Sequence, residues 1–292
     1  MTTLRHFDMF SGYGGFTIPC EELGIETVGF SEINSWANAV LNYRFTGVKN
    51  YGDATQIIAD NVPDFDFLTG GFPCQSFSIA GKRRGLEDVR GTLFYEIARI
   101  VSVKRPAILL LENVAGLLSH DNGRTFGTIL DTFWRLGYIC EWQILNSKDF
   151  GVPQSRERVF VLGYSGKTPR PEILPFVSDD EESNGTEQIR RQSAFEKIKD
   201  YTDVDKDGRN NDSRRLIQFE EKKEDYSNIK LRYATPNECE RLFGLQDDWT
   251  KYGLIDNNIV IIKDANRYEL CGNGVVVNVA REIIKRIAET LK

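Results

Sequence analysis

Apolar residues along the first 165 positions fall in short continuous runs, separated by stretches with helical spacing. Leu4 to Phe10 reads as a strand, and glycines follow it at once. Pro19 to Leu23 predicts a short helix ending near Gly24, Glu26 to Ser31 a second strand, and Asn34 to Phe45 a helix. A further strand is expected just before Asp53, and a short one at Asp66 to Thr69. In Thr92 to Val103, the residues Leu93, Phe94, Ile97, Ile100 and Val101 share one helical face. Ala107 to Leu111 is apolar throughout, as expected of a strand covered on both sides. Phe126, Ile129, Leu130 and Phe133 mark a helix closed by Gly137, and strands follow at Ile139 to Leu145 and Val159 to Tyr164. This alternation predicts an α/β fold: a mostly parallel sheet with helices on both faces.

The pattern changes after Tyr164. Residues 166 to 230 are polar, with an acidic run from Asp179 to Glu182 and few periodic segments. They read as part of a second, smaller, irregular domain. Order resumes near Leu231. Thr235-Pro236-Asn237-Glu238 predicts a capped helix start, Gly244 its stop, and Val276 to Leu291 a last helix. The expected division is 1–165 with 268–292 as the main domain, and 166–267 as the smaller one.

Composition narrows the chemistry. Five cysteines with no CxxC pair suggest reduced thiols rather than a disulfide framework or zinc site, and two histidines argue against a histidine-rich metal centre. No metal is expected. The N-terminal stretch MTTLRHFDMF lacks an apolar signal segment, and no run is long enough to span a membrane. A cytoplasmic protein without membrane attachment is expected. The formal net charge of −6 argues mildly against a nucleic-acid binder. Against it stand local basic clusters at Lys82-Arg83-Arg84, Arg156 and Arg158, Arg190-Arg191 and Arg214-Arg215, each of which alone also reads as solvated surface.

Candidate functional residues gather at the ends of the predicted strands. The first strand runs into Phe10-Ser11-Gly12-Tyr13-Gly14-Gly15-Phe16, a turn that lets a ligand approach the backbone. Thr17 stands where a dinucleotide fingerprint needs its third glycine, which argues against a nicotinamide site. Glu32 ends the second strand, where a carboxylate can accept from both ribose hydroxyls of an adenosine, and Asp53 can reach the adenine amine. Either acid alone is also an ordinary surface carboxylate. Gly70-Gly71-Phe72-Pro73-Cys74-Gln75-Ser76-Phe77-Ser78 follows a strand, with Pro73 stiffening the approach to Cys74. A lone cysteine is usually a buried filler, but these neighbours do not look like core. The next segment, Ile79 to Arg90, is glycine-hinged and basic, as a loop closing on a polyanion would be. Glu112 ends the apolar strand and needs a partner or a task there, and Arg158 is well placed to reach the same crevice. A purely structural ion pair between such residues is the alternative.

Taken in order, FSGYGGF, SEIN, GDAT, GFPCQSFS, ENV, QSRER, TPNECERLFG and GNGVV resemble the motifs of the bacterial cytosine-C5 DNA methyltransferase family over residues 4–164 and 231–292. The resemblance implies a Rossmann-like S-adenosylmethionine-dependent methyltransferase sheet with a small target-recognition domain. It implies Cys74 as nucleophile, and Glu112, Arg158 and Arg156 as the other catalytic groups. Cofactor contacts are implied at Phe10, Ser11, Gly12, Gly14, Gly15, Glu32, Ile33, Asp53, Ala54, Phe72, Pro73, Leu93, Asn273 and Val275. Contacts to double-stranded DNA are implied at Ser78, Lys82, Arg83, Arg84, Arg90, Gln154, Arg214 and Arg215, with Lys222 and Lys223 as further phosphate contacts. A monomer is expected, with a cognate restriction endonuclease as candidate partner. The sequence-reading region is short for the family, and Gly274 stands where many members have Ser. Two other readings stay open: a transfer-RNA methyltransferase of the same family, and a DNA-binding remnant without turnover.

Overall fold

Six strands form one sheet in the order β2-β1-β3-β4-β6-β5: β1 (Arg5–Met9), β2 (Glu26–Ser31), β3 (Phe67–Gly71), β4 (Ile108–Val114), β5 (Tyr138–Asn146) and β6 (Glu157–Ser165). The structure is a computed structural model that describes residues 3–73, 93–166, 173–174, 176, 216–217 and 232–290. β2, β1, β3 and β4 are mutually parallel, and β6 runs antiparallel between β4 and β5. The expected mostly parallel sheet is what forms.

Strand alternation explains the continuous apolar runs. Ile108 and Leu110 of β4, with Phe160, Leu162 and Tyr164 of β6, enter one buried cluster; Leu109, Leu111, Val159 and Val161 enter the other. The first cluster is covered by α1 (Thr17–Glu22) and the last helix, here α7 (Val277–Thr290). The second lies under α3 (Leu93–Lys104) and α4 (Arg124–Arg135). α2 (Ser35–Arg44) follows β2 and starts on Asn34, whose side chain caps Trp36 and Ala37. The strand expected before Asp53 is only a single parallel bridge between Phe30 and Asn50, with backbone bonds from Phe30 N to Lys49 O and from Tyr51 N to Phe30 O, and Asn50 side-chain bonds beside it.

After a two-residue pairing of β7 (Leu216–Ile217) with β8 (Arg232–Tyr233), α5 (Pro236–Leu242) starts on the expected capping box. Thr235 and Glu238 satisfy each other's backbone N–H, and Gly244 follows the helix with φ +74°. A hairpin, β9 (Tyr252–Ile255) and β10 (Asn258–Ile261), and α6 (Asp264–Asn273) were not anticipated. Arg267 of α6 is buried on Glu240 of α5 at 3.0 Å, and Thr250 also donates to that carboxylate. Ala234, Cys239, Phe243, Leu245 and Ile262 join the same buried cluster as the sheet.

The α1-facing side of β1 carries His6 and Asp8, both fully buried. A hydrogen-bonded chain satisfies them: Thr27 Oγ1 to His6 Nδ1 at 3.0 Å, His6 Nε2 to Thr69 Oγ1 at 2.7 Å, and Thr69 Oγ1 to Asp8 Oδ1 at 2.6 Å. Thr17 donates to the other Asp8 oxygen at 3.0 Å. Thr69 Oγ1 bonds both His6 Nε2 and Asp8 Oδ1, so the tautomer of His6 and the protonation of Asp8 are linked through one hydroxyl.

Burial raises Asp8 from 3.8 to about 7, against the Thr69 and Thr17 hydroxyls, and lowers His6 from 6.5 to about 3. The Asp8 contribution to stability is complete below its unfolded value and is lost as pH rises through 7. The His6 contribution is complete above 6.5 and is lost as pH falls toward 3. Between these limits the two slopes, each about 1.4 kcal/mol per pH unit, oppose one another. Urea unfolding of Asp8→Asn is therefore expected to show stability rising with pH between 4 and 6.5, and of His6→Gln stability falling. Parallel profiles for both variants would disprove the neutral pair.

Candidate functional site

Parallel strands bring their carboxyl ends to one edge of the sheet, where open sheets bind ligands. β1, β2, β3 and β4 deliver Phe10, Glu32, Phe72-Pro73 and Glu112-Asn113 to it. β6 runs the other way, so its first residues reach that edge: Arg158 pairs with Val114.

One half of the edge holds the glycine turn and the Glu32 carboxylate. Phe10 bends the chain at φ 56°, a conformation that non-glycine residues rarely adopt, and its N–H bonds Ser31 O at 2.7 Å. Gly12 follows at φ +54°, and a Cβ there would meet nothing, so the turn opens outward. The Glu32 carboxylate accepts from Gly12 N–H at 2.7 Å on Oε2, and from Ile33 and Asn34 N–H at 2.8 and 2.7 Å on Oε1. A carboxylate has roughly four acceptor positions, so capacity remains for a hydroxyl.

Asn50 fixes the neighbouring turn: its Oδ1 accepts from Glu32 and Gly52 N–H, and its Nδ2 donates to Glu32 O and Asn38 Oδ1. Nothing in the sequence marked Asn50. Asp53 is exposed and caps the turn after it, bonding Thr55 N–H at 2.9 Å. Ile33 is 71% exposed, an apolar side chain held out beside these acids. Ser11, Gly14, Gly15 and Ala54 are buried and shape the turn from within. A Cβ on Gly14 would meet the Phe45 ring at 2.5 Å, and one on Gly15 would meet Val275 at 2.6 Å. Asn273, the last residue of α6, is exposed, and Val275, between α6 and α7, is buried.

The other half is charged. Glu112 lies beside Gly71 in register, and its Oε1 is 3.0 Å from Arg158 Nε. A Cβ on Gly71 would stand 3.4 Å from Glu112 Oε2, so the last residue of β3 lies close beside the carboxyl group. Burial pushes Glu112 above its ordinary 4.5, against the pull of Arg158 and Arg156. Asn113, itself buried, donates to Phe72 O at 2.8 Å and so pins the chain two residues before position 74. Phe72 is buried near Phe94, Pro73 is exposed, and Leu93 opens α3 nearby in the sequence. Arg156 turns toward the 272–274 backbone, donating to Gly272 O and Gly274 O at 3.1 Å each and lying over the Phe243 ring. Gln154 is 7% exposed, and its Oε1 has no hydrogen-bond partner among the described residues.

Cys74, Ser78, Lys82, Arg83, Arg84, Arg90, Arg214, Arg215, Lys222 and Lys223 lie outside the described residues. The described thiols are Cys20, Cys140, Cys239 and Cys271; burial raises all four, Cys140 to about 12 and Cys239 to about 11. Among the described residues there is no cluster able to hold a metal, and no helix is long and apolar enough to cross a membrane.

Comparison with known proteins points one way. A family model described as C-5 cytosine-specific DNA methylase matches residues 4–225 and 177–289. The type II methyltransferase M.DsaV of Dactylococcopsis salina is 34% identical over 310 residues, covering 97% of this chain and 86% of that protein. The type II methyltransferase M1.ScrFI of Lactococcus lactis subsp. cremoris is 34% identical over 320 residues, covering 99% and 79%. Among solved structures, the Dnmt2 methyltransferase of S. pombe superposes with a TM-score of 0.69 over 99% of both chains at 20% identity, a likeness of fold.

Proposed function

The chain belongs to the C-5 cytosine-specific DNA methylase family and is a DNA (cytosine-5-)-methyltransferase, and we propose that it methylates a cytosine swung out of double-stranded DNA through a covalent bond to Cys74. The family implies S-adenosylmethionine as donor, and the residues at the edge fit it. The open Gly12 turn, the Glu32 carboxylate with acceptor capacity, the exposed Asp53 and the exposed Ile33 match a backbone-hugging chain, a ribose, an adenine amine and an adenine face. Bound there, the donor supplies an electrophilic methyl group on a sulfonium.

The protein's own groups make the ring reactive. Carbon 5 of cytosine is a weak nucleophile. Addition of the Cys74 thiolate to carbon 6 turns the ring into an enamine with electron density at carbon 5. Protonated Glu112 donates to ring N3 and takes up the charge that develops there, and Arg158 bonds the ring O2. Carbon 5 then attacks the methyl group of the bound donor, whose carbon–sulfur bond breaks to leave a neutral thioether, and loss of the carbon 5 proton expels the Cys74 thiolate. The reacting base must leave the duplex, at a cost of a few kcal/mol.

The observation that most supports this reading is the partly buried Glu112 carboxyl, raised in pKa although a guanidinium lies 3.0 Å away, at the end of the strand beside Gly71-Phe72-Pro73. A carboxyl that resists ionisation can serve as a hydrogen-bond donor. Residues 166–267 are the proposed target-reading domain, with Arg214, Arg215, Lys222 and Lys223 on phosphates and a cognate restriction endonuclease as functional partner. The protein is proposed to act in the cytoplasm as a monomer.

The test supplies labelled S-adenosylmethionine with unmethylated duplex DNA or with transfer RNA. Label is expected in 5-methylcytosine of DNA. Transfer to RNA at an equal or higher rate would overturn the choice of substrate. Failure to trap an adduct on 5-fluorocytosine DNA would overturn the covalent route.

A further inference from the structure

We propose that Tyr13 and Gly274 are a matched pair that fixes the segment 272–275 against the glycine turn, which makes Tyr13 a positioning residue for donor binding. This rests on the reading of the edge as the donor site. Tyr13 is fully buried between two glycines at positive φ, Gly12 and Gly14. Its hydroxyl donates to Val275 O, and its own carbonyl accepts from Trp249 Nε1 at 3.2 Å.

Gly274 lies against the ring. A Cβ there would stand 2.0 Å from Tyr13 Cε1, 2.5 Å from Cζ and 2.7 Å from the hydroxyl oxygen. Carbon atoms rest 3.5–4.0 Å apart, so no side chain fits. The backbone does not demand glycine: Gly274 has φ −85° and ψ 166°, which any residue adopts. The ring therefore selects glycine by space alone. Neither partner has room to retreat. Arg156 grips Gly272 O and Gly274 O from the β6 side, and Gly15 leaves just enough space for Val275.

The consequence falls on the donor site. The segment carries Asn273 and Val275, so a Cβ at 274 pushes both away from the turn that holds Gly12 and Glu32. Misplacement of about 1 Å can cost up to a hundredfold in function. Gly274→Ala is expected to raise KM for S-adenosylmethionine at least tenfold, with a smaller change in kcat at saturating donor. Tyr13→Phe keeps the ring and loses the bond to Val275 O. It is expected to raise the same KM three- to tenfold, the range one hydrogen bond spans.

The decisive variant is the double one. Tyr13→Ala opens a cavity into which the methyl group of Gly274→Ala can move. The double variant is thus expected to bind S-adenosylmethionine more tightly than Gly274→Ala alone.

Calorimetric titration with S-adenosylmethionine, steady-state kinetics and thermal melting are run on all four variants and the parent. Parental donor affinity in Gly274→Ala overturns the pairing, as does a double variant whose losses simply add. Should Gly274→Ala not fold, recovery of folding and donor binding in the double variant still supports the pair, and its absence overturns it. A parent protein that binds no donor overturns the underlying reading, and this inference with it.

Discussion

Cys74→Ala is expected to lose methyl transfer by at least about four orders of magnitude while keeping duplex binding and the parental melting temperature. The argument is chemical. Without addition to carbon 6, carbon 5 never becomes an enamine carbon, and no other step supplies that activation. No described cysteine can take over. Cys20, Cys140, Cys239 and Cys271 all have burial-raised pKa values, so their thiolate fractions at neutral pH are far below that of an ordinary cysteine. Cys74 follows Pro73 by one peptide bond in the sequence, and the described chain before it is held by the Asn113 bond to Phe72 O. Label transfer and gel retardation on the same duplex separate chemistry from binding. Transfer at more than a per cent of the parental rate by Cys74→Ala would remove the nucleophile assignment. A Cys74→Ser variant that also fails would tie the effect to the thiolate, since a serine hydroxyl is ionised far less at the same pH.

The sheet was legible because burial on two faces writes itself into the chain. β4 and β6 read as unbroken apolar runs since alternate residues enter different clusters. Capping chemistry was equally plain at Thr235 and Glu238. The hairpin β9–β10 was not legible, because Ile259 and Ile261 are 64% and 72% exposed, and its apolar residues mark no core face. α6 escaped for the opposite reason: it buries Arg267, a residue that pattern reading assigns to solvent, on Glu240.

At the site, Glu32, Glu112 and Arg158 could be read from strand ends. Their surroundings could not. The roles of Asn50, Asn113 and Tyr13 depend on backbone atoms 18, 41 and 262 positions away in the chain, which no local pattern encodes. The antiparallel course of β6, which sets Arg158 beside Glu112, is likewise a property of the sheet and not of the segment.

Replacing Glu112 and Arg158 in turn is expected to separate their roles through pH. On the proposed mechanism, transfer needs Cys74 ionised and Glu112 protonated, so kcat is expected to fall at low pH as the thiolate is lost and at high pH as the Glu112 proton is lost. Burial raises Glu112 above 4.5, and Arg158 is the largest of the groups that oppose the rise. Glu112→Gln cannot ionise. It is expected to slow methyl transfer about a hundredfold to a thousandfold and to abolish the alkaline limb. Arg158→Ala removes a donor to the ring O2, and a loss of similar size follows. It also removes the positive charge 3.0 Å from the carboxyl group, so the Glu112 proton is held more tightly and the alkaline limb shifts to higher pH. Arg158→Lys keeps a charge but not the planar fork, and is expected to leave the limb near its parental position while the rate stays low. The opposite movement of the limb in Arg158→Ala, or an unchanged limb in Glu112→Gln, would mean that the pair is only a structural ion pair. An ion pair of that kind would change the melting temperature and leave the pH profile of transfer where it was.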